Sequence, residues 1–348
     1  DRGGIPTFLD MLRHGELAEE HEVTFLNVAH TGVPEGGRAT AGNLRRTLSD
    51  ALAVWRAARG QDIVHVHSAL APTVTVLRAG LLALAGRLAR CGVVVHAHGG
   101  NVETWLTTPW RRRLVRLVMA PAHRVIAVWT AGERALTVTL GAGKVRLVDN
   151  GVRVSDFDPS HPAHQPPRVL YVGLLTARKG VVDLVDASRL LVDRGVRHEL
   201  WLVGGTPDEG PAAEVPVRAA AADLARLLGT RAPEEMPATY AGADVFCLPS
   251  WWEAMPLSVL EAMAAGLPVV ATDVGDVGRA VADGESGYVV PSRSPEALAD
   301  ALEELLTDPE RRHRMGREGR TRAESMFSSS ATARAVSDVF AEVEKERR

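Results

Sequence analysis

Residues 243–275 read ADVFCLPSWWEAMPLSVLEAMAAGLPVVATDVG. A short apolar run (ADVFCL), a helical stretch and a second apolar run (PVVATDVG) follow one another with turn residues at each junction. Pro256 fits the first helical position, Gly266 the residue just past the helix end, and Pro268 the start of the next strand. Strand, helix, strand in that order is the repeating unit of a parallel sheet. Glu261 lies inside the helix among Val259, Leu260, Ala262 and Met263, and Glu253 lies just before it.

The same alternation extends in both directions. EVTFLNVA, DIVHVHSA, VVVHAHGG, RVIAVWT and VRLVDNGV lie upstream, then RVLYVGLL and HELWLVGG, with GYVVPS downstream. Such short runs between amphipathic stretches predict parallel sheets with helices on both faces. The pattern pauses once, at SDFDPSHPAHQPPR (155–168), whose four prolines suit a connection between domains. The expected division is therefore an α/β domain over 1–154, a linker over 155–168 and a second α/β domain over 169–328. PEALADALEELL and residues 331–344 read as helices, and the segment 329–348 is expected to pack back on the N-terminal domain. The chain opens on DRGGIPTF, a glycine turn running into a helix with no strand ahead of it, so the first strand of that domain is expected to be missing.

The chain has 348 residues and is 46% hydrophobic and 24% charged, enough for two packed cores. A net charge of -3 lacks the basic excess of a nucleic-acid binder. Cys91 and Cys247 each stand alone in apolar runs, which suits buried thiols in the cytoplasm and offers no CxxC metal pair. No apolar run reaches the length of a membrane span.

Two doubly wound sheets predict a cleft at the carboxyl ends of their strands. Extending helical geometry from Glu261 back to Glu253 separates the carboxylates by about 12 Å of rise and about 80° of rotation. That is too far for a glycosidase acid/base pair, whose carboxyls lie about 5–9.5 Å apart. It suits two ends of one long ligand, with the helix N-terminus between them as a seat for phosphate. A nucleotide sugar has that form.

PSWWEAMPLSVLEAMAAGLPVVATDVG resembles the E-x7-E signature of family-four retaining glycosyltransferases of the GT-B type. GGIPTF, DIVHVHS, HAHG, VRLVDNGV, YVGLLTARKG, LWLVGG and ADVFCLPS fall in the order that family shows. The resemblance implies two Rossmann-like domains and transfer of a sugar from a nucleotide diphosphate donor to a hydroxyl acceptor, with retention and without metal or cofactor. It implies that Glu253 meets the donor sugar, that Ala254, Met255, Pro256 and Leu257 meet sugar and diphosphate, and that Glu261 holds the ribose. Lys179 is similar to the family lysine that neutralises the diphosphate, with Arg178 as an assistant. His98 matches the histidine that reaches the donor sugar, Gly3 and Gly4 the glycine turn, and Asn150 with Gly151 a loop lining the cleft. The sequence departs from the family at Leu174, where an arginine is common, and at GDVGR (275–279), where G-G-x-P-E is common.

Other readings compete. A nucleotide-sugar epimerase of similar fold, or a sugar-nucleotide-binding subunit of low activity, would share these features. His65, His67 and His96 alternate with apolar residues and are expected to be core histidines bonded to backbone, not metal ligands. Asp156 and Asp158 form a D-x-D away from any strand end and are not expected to bind metal. Trp251 and Trp252 suit either a core anchor or an acceptor wall. Arg111, Arg112, Arg113 and Arg116 share one helix, PWRRRLVRLVMA, which is either a solvated face or a patch for anionic lipid and a lipid-linked acceptor. The family association points to bacterial surface polysaccharide or glycolipid assembly.

Overall fold

The computed structural model describes residues 4–28, 41–99, 101–160, 163–205 and 211–348. The chain forms two compact units, residues 1–150 with 330–348, and residues 151–329. The proline-rich stretch 155–168 thus belongs to the second unit. Phe157 within it is buried and meets the Tyr240 ring edge-on at 5.7 Å.

The first unit carries a four-stranded parallel sheet of β1 (Ile63–Ser68), β2 (Gly92–Ala97), β3 (Arg124–Ala127) and β4 (Val145–Leu147), in that order. Every residue of β2 and β3 is buried, the signature of a strand covered on both faces. The helix Thr73–Leu88 packs along β1 and β2. The run EVTFLNVA, expected as a strand, forms none: residues 22–28 are irregular, with Val23, Phe25 and Leu26 about 40% exposed. An apolar run becomes a strand only where a neighbour pairs its backbone, and β1 is the edge of this sheet among the described residues.

The C-terminal helix Ser329–Arg347 lies on this unit. Arg124 Nε reaches Glu342 Oε2 at 2.8 Å, and Arg146 Nη2 reaches the same oxygen at 2.7 Å. Arg124 Nη2 also meets Glu346 Oε1 at 2.5 Å. The Phe340 ring stands edge-on to His65, and Thr332 Oγ1 donates to the Asp149 carbonyl.

The second unit carries a six-stranded parallel sheet of β5 (Arg168–Val172), β6 (Glu199–Val203), β7 (Ala225–Gly229), β8 (Val245–Leu248), β9 (Val269–Thr272) and β10 (Gly287–Val290). Their spatial order is β10-β9-β8-β5-β6-β7. Strand β7 carries no strong alternation and escaped the sequence reading. The helices Val181–Asp193 and Pro295–Thr307 pack together, as do Leu257–Ala264 and Pro309–Met326. The helix Leu257–Ala264 ends as its sequence predicts. Gly266 takes φ +73°, and the amides of Leu267 and Gly266 return to the carbonyls of Ala262 and Met263, a Schellman closure.

Strand order reverses between β8 and β5. In open parallel sheets that reversal opens a crevice at the carboxyl ends of the two strands, because their following connections leave in opposite directions. This crevice belongs to the second unit alone.

Candidate active site in the second unit

The connections leaving β5 and β8 carry the residues singled out in the sequence. After β5, a single turn at Ala177–Lys179 leads through Gly180 into the helix Val181–Asp193. Gly180 adopts φ +65°, and a Cβ there would stand 1.9 Å from the Pro249 carbonyl oxygen. Only glycine allows this contact, which brings the β5 turn against the segment leaving β8. Trp251 N–H donates to the Arg178 carbonyl at 2.9 Å, closing the same junction.

At that junction Lys179 Nζ donates to Glu253 Oε1 at 2.6 Å, and Ser250 Oγ donates to the same oxygen at 2.7 Å. Glu253 is 7% exposed and the Lys179 side chain 17%, so the ion pair is largely shielded from water. Ser250 is itself fully buried, and its carbonyl accepts the Thr272 hydroxyl at 2.5 Å. A carboxylate oxygen held by two donors, one of them a buried hydroxyl, has a fixed orientation, and it holds the ammonium in turn. Ser250 and Thr272 were not singled out in the sequence, because a serine and a threonine beside strand ends carry no pattern of their own.

Two helices begin at this crevice, Val181–Asp193 and Leu257–Ala264, with Gly180 and Pro256 at their N-caps and no side-chain cap on either. Uncapped first-turn N–H groups and the positive dipole ends make both helix starts anion-seeking. Pro256 was expected as the first helical residue and is the N-cap, one position earlier in the helix frame. Ser250–Pro256 is non-helical, so the separation of Glu253 from Glu261 is not the helical one calculated from spacing. The two lie on different pieces of backbone, a loop and a helix.

Ala254, Met255 and Pro256 are buried and Leu257 half-buried, so this loop offers mainly backbone. The GDVGR segment folds onto it. Asp276 N–H donates to the Ala254 carbonyl at 2.8 Å, and a Cβ at Gly275 (φ +57°) would stand 2.4 Å from the carbonyl oxygens of Glu253 and Ala254. The departure from G-G-x-P-E therefore keeps a glycine at the closest approach. Arg279 pairs with Asp276 at 2.8 Å. At the other departure, the Leu174 carbonyl accepts the Tyr171 hydroxyl at 2.8 Å.

Glu261 is half-buried, and its Oε2 accepts the hydroxyl of fully buried Tyr240 at 2.7 Å. Burial pushes its carboxyl from the usual 4.5 up to about 7, with the Tyr240 hydroxyl opposing. Tyr240 had no signal in the sequence. Arg178 is exposed. Trp251 is half-buried, bonds through Nε1 to Asp183 Oδ2 at 2.7 Å and carries the Arg293 guanidinium over its ring at 4.3 Å. A shallow cavity of about 260 Å³ lined by Pro159, Gly266 and Arg320 sits at the opposite end of the Leu257–Ala264 helix from Glu253.

In the first unit, His98 follows β2, half-buried, with Nε2 2.9 Å from His67 Nδ1. His65 Nε2 lies 3.2 Å from His96 Nδ1. The histidines expected to bond to backbone are thus paired through their rings with one another. Burial, joined for His65 by the nearby His98, lowers His65 and His98 to about 3, so these imidazoles are neutral at ordinary pH. Gly4 begins the exposed start of the helix Gly4–His14, Asn150 is buried, and Gly3 lies outside the described residues. Asp156 pairs with Arg153 at 3.0 Å, and Asp158 accepts the Ser160 amide.

Residues 2–156 match the family model Glycosyltransferase Family 4, and residues 153–322 match Glycosyl transferases group 1. The D-inositol 3-phosphate glycosyltransferase of Corynebacterium efficiens is 38% identical over 180 residues, which are 50% of this chain and 42% of that protein. The chain spans well under two thirds of that relative's length. The alpha-maltose-1-phosphate synthase of Mycobacterium tuberculosis is 29% identical over 330 residues, covering 81% of this chain and 82% of that one. Among solved structures, sucrose-phosphate synthase from Thermosynechococcus elongatus superposes with a TM-score of 0.71 at 24% identity, over 89% of this chain and 81% of that one. Anabaena HepE in complex with UDP gives 0.69 at 19% identity, over 84% and 82%. With residues 2–322 matched in turn by these two models and the GT-B fold shared with the solved structures, the chain belongs to the family-four glycosyltransferases of GT-B fold.

Proposed function

We propose that the chain moves a hexose-type sugar from a nucleotide diphosphate sugar to a hydroxyl acceptor, with retention and without a metal in the transfer step. The observation that carries this reading is the Lys179–Glu253–Ser250 cluster at the strand-order reversal of the second unit, between two uncapped helix starts. Lys179, assisted by Arg178 and the helix N-termini, neutralises the diphosphate as negative charge develops on it. Electrostatic stabilisation of a leaving group by groups already in place is the largest catalytic effect such a site can supply. Glu253 orients the donor sugar and holds Lys179, the backbone of Ala254–Leu257 lines the donor, and Glu261 accepts the ribose hydroxyls. His98, Gly3, Gly4 and Asn150 are assigned to the donor from the first unit on the strength of the family pattern.

The relatives support the donor class. Anabaena HepE has been solved with UDP and with UDP-glucose, and the corynebacterial relatives are named for transfer to an inositol phosphate. A lipid-linked acceptor at the inner face of the cytoplasmic membrane, in polysaccharide or glycolipid assembly, is the finer proposal. Its basis is the helix Pro109–Val118, where Arg112, Arg113 and Arg116 are exposed beside Trp110 (54% exposed) and Leu117 (74%). Arg111 instead lies over the rings of Trp105 and Trp110. No helix among the described residues is long and apolar enough to cross a membrane.

The test is nucleotide release from a panel of donors, with and without hydroxyl acceptors. Acceptor-dependent release supports transfer. Isomerised sugar without acceptor would make the chain an epimerase, and binding without turnover a donor-binding subunit. Flotation with anionic vesicles, wild type against the four-arginine-to-glutamine variant, tests the membrane contact, and equal flotation refutes it.

A further inference from the structure

The first sheet carries a second constellation. β1 holds one H-x-H, a second begins in β2 at His96 and ends just past it at His98, and the parallel register sets His67 directly opposite His96. Alternation along a strand puts His65 and His67 on one face of β1, with His96 and the following His98 beside them from β2. One ring nitrogen each from His65, His67 and His96 lies within 4.8 Å of the other two.

A neutral imidazole has one donor and one acceptor nitrogen. The pairs His65–His96 and His67–His98 use one nitrogen of each ring. His96 Nε2 remains: the residue is fully buried, and this atom has no hydrogen-bond partner. Buried ring nitrogens are ordinarily satisfied, and an unsatisfied one calls for an explanation. A metal ion would supply one, because it takes a lone pair where the surrounding protein offers no proton.

We propose that His65, His67 and His96 form a binding site for one divalent transition-metal ion of the zinc class. Three imidazoles with no carboxylate or thiolate among them suit zinc, nickel or copper, and do not suit magnesium or calcium. Zinc–imidazole bonds of about 2.0–2.1 Å in tetrahedral geometry bring the nitrogens to roughly 3.4 Å apart. The three nitrogens already lie within 4.8 Å of one another, and adjustment of the half-buried His65 and His67 rings about their Cβ–Cγ bonds is the movement that binding an ion would require. Those two rings lie on the edge strand, which gives an ion a way in. Phe8 packs edge-on to His96 at 5.1 Å and to His98 at 4.9 Å, and Phe340 to His65 at 5.3 Å, an apolar shell that limits water. The site lies in the first unit and shares no residue with the Lys179–Glu253 cluster, and it touches the transfer chemistry proposed above through His98, whose Nε2 lies 2.9 Å from His67 Nδ1. His98, bonded to His67, is the neighbour whose orientation changes when the ion binds.

The experiment uses the full chain without a polyhistidine tag, stripped with chelator and dialysed against Zn²⁺ and, separately, Co²⁺. Bound metal is measured by mass spectrometry of the ion, coordination by the visible absorption of Co²⁺, and folding by far-UV circular dichroism. The expected result is one equivalent per chain, a tetrahedral cobalt band, and a chelator-reversible rise in Tm. His96→Gln, and separately the double variant His65→Gln with His67→Gln, should raise the Zn²⁺ Kd at least ~10-fold. His313→Gln, an exposed histidine of the second unit, should leave it unchanged. If His96→Gln fails to fold, the double variant on the half-exposed edge strand carries the test. Uptake well below one equivalent, or uptake that survives loss of these histidines, overturns the proposal and leaves the rings as stacked core side chains.

Discussion

Glu261→Gln separates the thermodynamic cost of this carboxyl from its proposed use. Burial raises the folded-state value from 4.5 to about 7. The folded chain therefore binds a proton that the unfolded chain has already released. Stability is unaffected below about pH 4.5, falls as pH rises through the interval to about 7, and is flat above it. At about 1.36 kcal/mol per pH unit the full cost above pH 7 is about 3 kcal/mol, and solvent reaching a half-buried carboxyl reduces this to ~2 kcal/mol. Glutamine keeps an oxygen for the Tyr240 hydroxyl and carries no charge, so it removes the cost. For a unit of this size, 1 kcal/mol shifts Tm by about 2–4 °C. Scanning calorimetry of wild type and Glu261→Gln from pH 4.5 to 8.5 should give equal Tm values at the acid end, with the variant about 4–8 °C higher above pH 7. Donor binding should show the opposite sense: wild type tightens as pH rises through 7, when the carboxylate accepts ribose hydroxyls, while the variant binds weakly and without that pH dependence. A Tm difference independent of pH would refute the burial argument, and unchanged donor affinity in the variant would remove Glu261 from the ribose.

Further outcomes follow from individual contacts. Lys179→Ala leaves Glu253 shielded and without its cation, and should lower kcat/KM about 100-fold or more in the donor assay, whereas Glu253→Gln should reduce kcat more than donor affinity; full activity in either refutes the roles given. Gly180→Ala forces a methyl into the Pro249 carbonyl at positive φ, and urea unfolding should show a loss of about 3 kcal/mol or more from the second unit. Arg124→Ala removes the guanidinium that ties Glu342 and Glu346 to the first sheet, and should cost about 1–3 kcal/mol with faster amide exchange in residues 329–347; an unchanged exchange pattern would show that Phe340 and its apolar neighbours hold that helix alone.

Much of the architecture was legible because it rests on local rules. Buried strands such as VVVHAH and VFCL announce themselves by unbroken apolar character, and Gly266 with Pro268 marked the end of a helix that closes as a Schellman motif. EVTFLNVA misled because strand formation depends on a pairing partner, which no local pattern reveals. The helix Pro309–Met326 was not legible, since its arginines and glutamates mask the buried positions Met315, Gly316, Gly319 and Ala323.

The sequence by itself determined the succession of strands and helices, the class of each sheet, and the placement of Glu253 and Glu261 about one helix, because periodicity and turn chemistry are properties of neighbouring residues; Lys179 came from the family resemblance. Tertiary structure alone decided that Lys179 and Glu253, 74 positions apart, share a 2.6 Å contact. They meet because β5 and β8 are neighbours in space and not in sequence, with Gly180 permitting the approach. It likewise decided that Tyr240 bonds Glu261, that Ser250 steadies Glu253, and that four histidines from two strands stand in one cluster. Contacts of that kind follow from strand order and register, which are fixed only when the whole unit packs.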